Sequence, residues 1–360
     1  MKSKVVKASV FLAILLMVSC SKDAKIDGSN NTNDGLYKFN FPDKTWEMFP
    51  VPTDNPSTLA GVELGRKLFY DPILSVDNTL ACASCHKAQY SFGDNTALSN
   101  GVSGLIGKRN AMPLFNLAWA DATPSPHKYT WDGGATSIER QIIAPVTLPF
   151  EMGSNLDTVV AKLQRHPAYP ALFFKAFGNS VIDINNVTYA IAQFERTLIS
   201  YNSPFDRMMR KEIPMPQEVA NGYAHFQSGG AGDCGHCHIN GNLFTDYSFQ
   251  NNGLSEQPDS GLATITGKSY DMGKFKVPSL RNLLFTAPYM HDGSLKTLLD
   301  VIEFYNAKTH TNATTSEFIT KHNPLGLQLT AKQKGELYAF LVSLSDSSFA
   351  IGSFWLAVHS

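Results

Sequence analysis

Residues 233–239 read Asp-Cys-Gly-His-Cys-His-Ile, and residues 82–86 read Cys-Ala-Ser-Cys-His. Both stretches carry the spacing C-x-x-C-H. A structural zinc site needs four protein ligands, and each stretch offers three at most. A redox dithiol would sit in a thioredoxin-like βαβ setting, and no convincing alternating strand pattern surrounds either stretch. Covalent haem fits the spacing better. Two cysteines three apart can each form a thioether with a vinyl group of one haem, which holds the next residue, histidine, beneath the iron as proximal ligand. Two c-type haems are therefore expected, one on Cys82, Cys85 and His86, the other on Cys234, Cys237 and His238. His236, between the cysteines of its motif, is expected to point away from the iron.

The two motifs use four of the five cysteines in the 360-residue chain. The fifth, Cys20, follows a basic start (Lys2, Lys4, Lys7) and the apolar run ASVFLAILLMV at 8–18. That run is too short for a permanent membrane span, so residues 1–19 read as a cleaved signal peptide. With small Ser19 before it, Cys20 matches a lipidation site, and the Asn/Gly/Ser-rich residues after it suit a tether over 20–42. The expected location is periplasmic, lipid-anchored to a bacterial membrane, with the anchor as the only membrane contact. A formal net charge of −1 and the lack of any Lys/Arg run argue against a nucleic-acid partner.

Helical periodicity marks four segments: 155–164, 185–200 with Val187, Ile191, Phe194 and Leu198 on one stripe, 216–227, and 330–344 opened by Thr330 as N-cap. Long Gly/Pro/Asn-rich stretches separate them. The fold class is read as all-α, with two cytochrome-c-like haem domains joined by long irregular loops. The first spans 43–205 and the second 206–345, with the break near the proline-rich, charged stretch YNSPFDRMMRKEIPMP. A tail over 346–360 is apolar enough to pack against the body.

The blocks around the haem motifs resemble the bacterial dihaem cytochrome c peroxidase superfamily: LGRKLFYDPILS (64–75), GKRNAMPLFNLAW (107–119), WDGG (131–134), Gln141, Pro145, Glu151-Met152-Gly153 and KVPSLRNLLFTAPYMHDGS (276–294). The resemblance implies that Glu151 is the acid/base for peroxide, Gln141 orients its oxygens, and Pro145 keeps the pocket narrow and dry. It implies that Trp131 relays electrons between the haems. A calcium ion between the haems would use Asn110, Thr286 and Pro288. Three departures matter. The loop SNGVSGLIGKRN (99–110) places Val102 where the peroxidase branch has a distal histidine, which implies an open N-terminal haem. Tyr305 stands fourteen residues after His291, where the MauG-like branch has a tyrosine ligand, with Met290 and Met272 as competitors. Residues 295–305 are expected to put Leu295, Leu298, Leu299, Ile302 and Tyr305 on one inward stripe. Gly134 replaces a usual arginine, which removes a cation near the haem.

Three functions follow from this. The first is a peroxidase that reduces hydrogen peroxide with electrons from a small cytochrome c or cupredoxin, entering through the C-terminal haem. The second is a MauG-like oxidase that uses peroxide-derived equivalents on a protein substrate. The third is a non-enzymatic electron carrier. The resemblance also allows a homodimer.

Overall fold

Each half of the chain is built on one crossing of two helices. The helix Leu59–Tyr70 begins where Thr58 accepts the Gly61 N–H, and it buries Leu64, Leu68 and Phe69. It packs on Ile184–Glu195, which is capped by Asp183 and buries the expected Val187, Ile191 and Phe194. In the second half, Gln217–Phe226 packs on Ala331–Ser343, whose capping box joins Thr330 and Gln333. One glycine makes each crossing close. A Cβ on Gly65 would lie 1.8 Å from the Ala190 carbonyl oxygen, and a Cβ on Gly222 would lie 1.9 Å from that of Glu336. No larger residue fits either position.

The computed structural model describes residues 35–39, 49–122, 129–239, 241–307, 309–322 and 325–358. The expectations for the signal peptide, Cys20 and most of the tether lie outside them. Among the described residues no helix is long and apolar enough to cross a membrane.

Buried hydrophobic side chains gather in two clusters. One runs from Phe49 to Leu198 and adds Leu243 and Tyr247. The other runs from Phe205 to Leu344. Each fully buried Leu or Phe contributes roughly 1.5–3 kcal/mol relative to exposure. The clusters are knit by crossing segments. The C-terminal helix Ser347–Val358 turns back, and Phe349 packs on Phe92 and Phe115 of the first half at ring-centroid distances of 6.0 and 6.1 Å. Ahead of it, the Asp346 carboxylate accepts the Asn202 N–H at 2.8 Å, and the Asp346 N–H donates to Asn282 Oδ1 at 2.9 Å. The start of the apolar tail, at Phe349 and Ala350, therefore packs.

The helical expectation holds and one stripe needs correction. Among the described residues helices dominate, with one antiparallel strand pair, Phe249–Gln250 with Phe275–Lys276, too short for any alternation to be legible. The stripe over 295–305 is cut. The helix starts at Leu298 after its Thr297 N-cap, Leu295 bridges Tyr289 outside it, and Leu299 is 52% exposed. Leu298 and Ile302 alone of the four aliphatic residues face the core. The helix Ile138–Thr147 went unread because Pro145 sits inside it.

Candidate active site

The two C-x-x-C-H motifs adopt matching geometries. His86 Nδ1 lies 3.0 Å from the Phe92 carbonyl oxygen, and His238 Nδ1 lies 3.0 Å from that of Phe244, six residues on in each case. A carbonyl can only accept, so Nδ1 carries the proton and Nε2 keeps its lone pair for a metal. Burial also lowers both imidazoles below their ordinary value, which favours the neutral form a metal ligand needs. Phe92 and Phe244 are both held at positive φ, 59° and 53°. That costs backbone energy at a bulky residue, and it aims each carbonyl at its histidine.

The cysteines fit thioethers and resist the alternatives. Burial pushes the Cys82 and Cys234 thiols up to about 12 and Cys237 up to about 11. A zinc site or redox dithiol needs thiolate, which these surroundings disfavour. A thioether has no proton to lose. Among the described residues no three His, Cys, Asp or Glu side chains converge as metal ligands. His236 is engaged by other partners: its Nε2 meets Asp233 at 3.0 Å and its ring stacks on Phe318.

In the first half, Gln141 and Pro145 are four apart on Ile138–Thr147 and share a face, while Ile138, Ile142 and Val146 enter the core. The chain then turns back tightly. Met152 N–H donates to the Pro145 carbonyl at 3.0 Å, and Glu151 N–H to that of Leu148 at 3.0 Å. The Glu151 carbonyl accepts the Val102 N–H at 2.8 Å. Glycine at 101 permits this contact, since a Cβ there would lie 2.1 Å from the Phe150 carbonyl oxygen. The loop position of the expected missing histidine is thus a buried Val102 bonded to the Glu151 peptide. Burial alone raises the Glu151 carboxyl above the usual carboxylate range, and Glu151 is near enough to Cys85 to raise that thiol. A half-buried carboxyl near Cys85, whose charged form burial disfavours, can both take and return a proton.

In the second half, a cavity of about 260 Å³ is lined by Cys234, Cys237 and His238, with Phe226, Leu298 and Leu337 among its apolar walls. Tyr305 and Met290 both line it; Met272 does not, and is 38% exposed. Burial pushes the Tyr305 phenol up to about 12. Lys276, missed from sequence, also lines the cavity at 6% exposure, and burial pushes its ammonium down to about 8. Such a cation calls for an anion, and haem carboxylates would supply one. A lysine inside the apolar block FKVPSL was the signal available for it.

Trp131 lies at the seam between the halves. Its indole N–H donates to the Asn110 carbonyl at 2.9 Å, and its own carbonyl accepts the Lys276 N–H at 2.9 Å. Arg109 closes the seam with Asp132 at 2.5 Å and Asp259 at 2.8 Å. It supplies a cation beside exposed Gly134, whose N–H bonds Asp132 at 3.0 Å. Asn110, Thr286 and Pro288 line the same cavity. The Asn110 amide nitrogen donates to the carbonyls of Thr96 and Ala97 at 3.1 and 3.2 Å, which turns its oxygen to other uses.

Comparisons agree with this geometry. The signature described as di-haem cytochrome c peroxidase matches residues 59–213. The methylamine utilization protein MauG of Methylophilus methylotrophus is 34% identical over 316 residues, covering 87% of this chain and 90% of that one. A cytochrome-c peroxidase of Denitromonas iodatirespirans is 36% identical over 332 residues, covering 82% and 84%. A crystal structure of a MauG-like protein associated with microbial copper homeostasis superposes with a TM-score of 0.77 at 30% identity, covering 88% of this chain and 98% of that one. With paired haem clamps, neutral histidines and relatives of this extent, the chain is an oxidoreductase that belongs to the di-haem cytochrome c peroxidase and MauG family, whose members carry two c-type haems.

Proposed function

We propose that this protein reduces hydrogen peroxide to water at the haem on Cys82, Cys85 and His86, with electrons entering through the haem on Cys234, Cys237 and His238. The haem iron, when bound, supplies the two-electron redox chemistry, and the electrons come from a small cytochrome c or cupredoxin. The half-buried Glu151 carboxyl near Cys85, with Val102 and no imidazole docked on its peptide, carries this reading. Glu151 takes the proton from the near peroxide oxygen and returns it to the departing one as water forms. The Gln141 amide orients both oxygens, and Pro145 narrows the approach. Trp131, held from both sides of the seam, serves as the relay. Asn110 Oδ1 with the carbonyls of Thr286 and Pro288 would hold calcium in an oxygen-only shell. The protein would act in the periplasm, tethered through Cys20.

The similarity to MauG, together with Tyr305 in the second cavity, favours a second reading, in which a protein partner is the electron source. Steady-state turnover with peroxide and a reduced small donor separates them. Rapid multiple turnovers are expected. Poor turnover with a long-lived, two-equivalent oxidised protein would replace the first reading by the second.

A further inference from the structure

Asn252 follows the strand Phe249–Gln250 and lines the second cavity. Its Oδ1 accepts the Leu254 N–H at 3.2 Å. Only the carbonyl end of an amide can accept that bond, so the NH₂ end faces the cavity. There Nδ2 lies 3.2 Å from Tyr305 Oη and 3.5 Å from Met290 Sδ. One amide nitrogen, with two protons to give, touches both candidate iron ligands. Its position is pinned on either side: Asn251 Nδ2 donates to Thr314 Oγ1 at 2.9 Å, and the Gly253 carbonyl accepts the His310 N–H at 3.1 Å. Met290 is itself held at a positive φ of 73°, a costly backbone state for a non-glycine residue that here brings its sulfur into the cavity.

We propose that Asn252 is a positioning residue that decides between Tyr305 and Met290 as sixth ligand of the C-terminal haem, by donating an N–H to the tyrosine oxygen. This rests on the reading of Tyr305 as a ligand. A hydrogen bond to an anionic oxygen is roughly twice as strong as one between neutral groups, whereas a thioether sulfur accepts only weakly. The donor therefore favours phenolate over thioether. Without it, the ligand's negative charge stands uncompensated among apolar walls, and the neutral sulfur, already within reach, takes the position.

The test uses the ferric holoprotein, read by electron paramagnetic resonance and by visible to near-infrared spectra. Asn252→Asp keeps the side-chain shape and the acceptor for Leu254 but presents oxygen in place of NH₂; Asn252→Leu removes the donor without adding charge. Either variant should shift the ratio of phenolate to thioether forms roughly tenfold or more, the scale of a lost bond to a charged group. Adding Met290→Leu should abolish the new thioether signal, with two covalent haems per chain and the first haem's signal unchanged. If one variant fails to acquire haem, the other decides. Should Tyr305→Phe leave the second haem's spectrum intact, the ligand reading itself fails. Should Tyr305→Phe alter that spectrum while the Asn252 variants keep the phenolate signature, the role given to Asn252 is overturned.

Discussion

The two halves differ little beneath the expected irons and greatly above them. Below, each has a helix crossing closed by a glycine, a histidine bonded to a carbonyl six residues on, and a phenylalanine at positive φ presenting it. The match extends further. Asn116 and Asn282 both take positive φ, and their backbone N–H groups donate to carbonyls just past the long helices, those of Leu198 and Leu344. Away from the clamps, the first half sets the burial-raised Glu151 carboxyl near Cys85, and the second lines a cavity with a phenol, a thioether and an asparagine. Even the supports diverge. Phe115 is apolar core, whereas Arg281, at the equivalent place before the asparagine, forms a buried two-point pair with Asp206 at 2.7 and 2.8 Å. The shared hardware holds a cofactor; the unshared side chains decide what it does.

That contrast can be broken, beginning with the distal face. Glu151→Gln should slow the reaction with peroxide roughly a hundredfold or more, the scale of a lost general base. Stopped-flow mixing measures it, and an unchanged rate would strip Glu151 of its role. The shared framework is tested next by Gly65→Ala and Gly222→Ala. Each forces a methyl into a carbonyl oxygen and should cost on the order of 1–3 kcal/mol or more, seen as lower thermal midpoints of similar size. A large loss for one and none for the other would show that the crossings are not equivalent.

The smallest effect concerns a feature of the first half alone. Glu195 is buried, its Oε2 has no partner, and neighbouring Arg196 bonds Glu139 at 2.5 Å instead. Burial pushes its carboxyl from 4.5 up to about 8. The unfolded chain releases that proton near 4.5 while the fold keeps it until about 8, so stability falls as pH rises through this window. Glu195→Gln should remove that loss. A gain in denaturant titrations at about pH 8 that shrinks towards about pH 4 is the expected result. A gain that does not vary with pH would refute the linkage.

Much of this was legible because it is local. Cys82, Cys85 and His86 must lie together at their spacing, and so must Cys234, Cys237 and His238. Val187, Ile191 and Phe194 repeat at a helical period, and Thr330 precedes a stretch it can cap. The stripe ending at Tyr305 failed in part because periodicity does not say where a helix begins; the Thr297 cap and the bridge of Leu295 to Tyr289 set its start. Asn252 and Lys276 stayed hidden for another reason. An asparagine in a polar loop or a lone lysine gains meaning only from what faces it.

By itself, then, the amino-acid order determined two covalent clamps, the main periodic helices and the residue types suited to peroxide chemistry, since bonded spacing and helical pitch depend only on neighbours along the chain. Tertiary structure decided the rest. Contacts between distant segments brought Val102 onto the Glu151 peptide, folded Phe349 back onto Phe92, and set Tyr305 and Met290 around one amide. Burial and orientation arise from those contacts, and they turn ordinary side chains into specific ones.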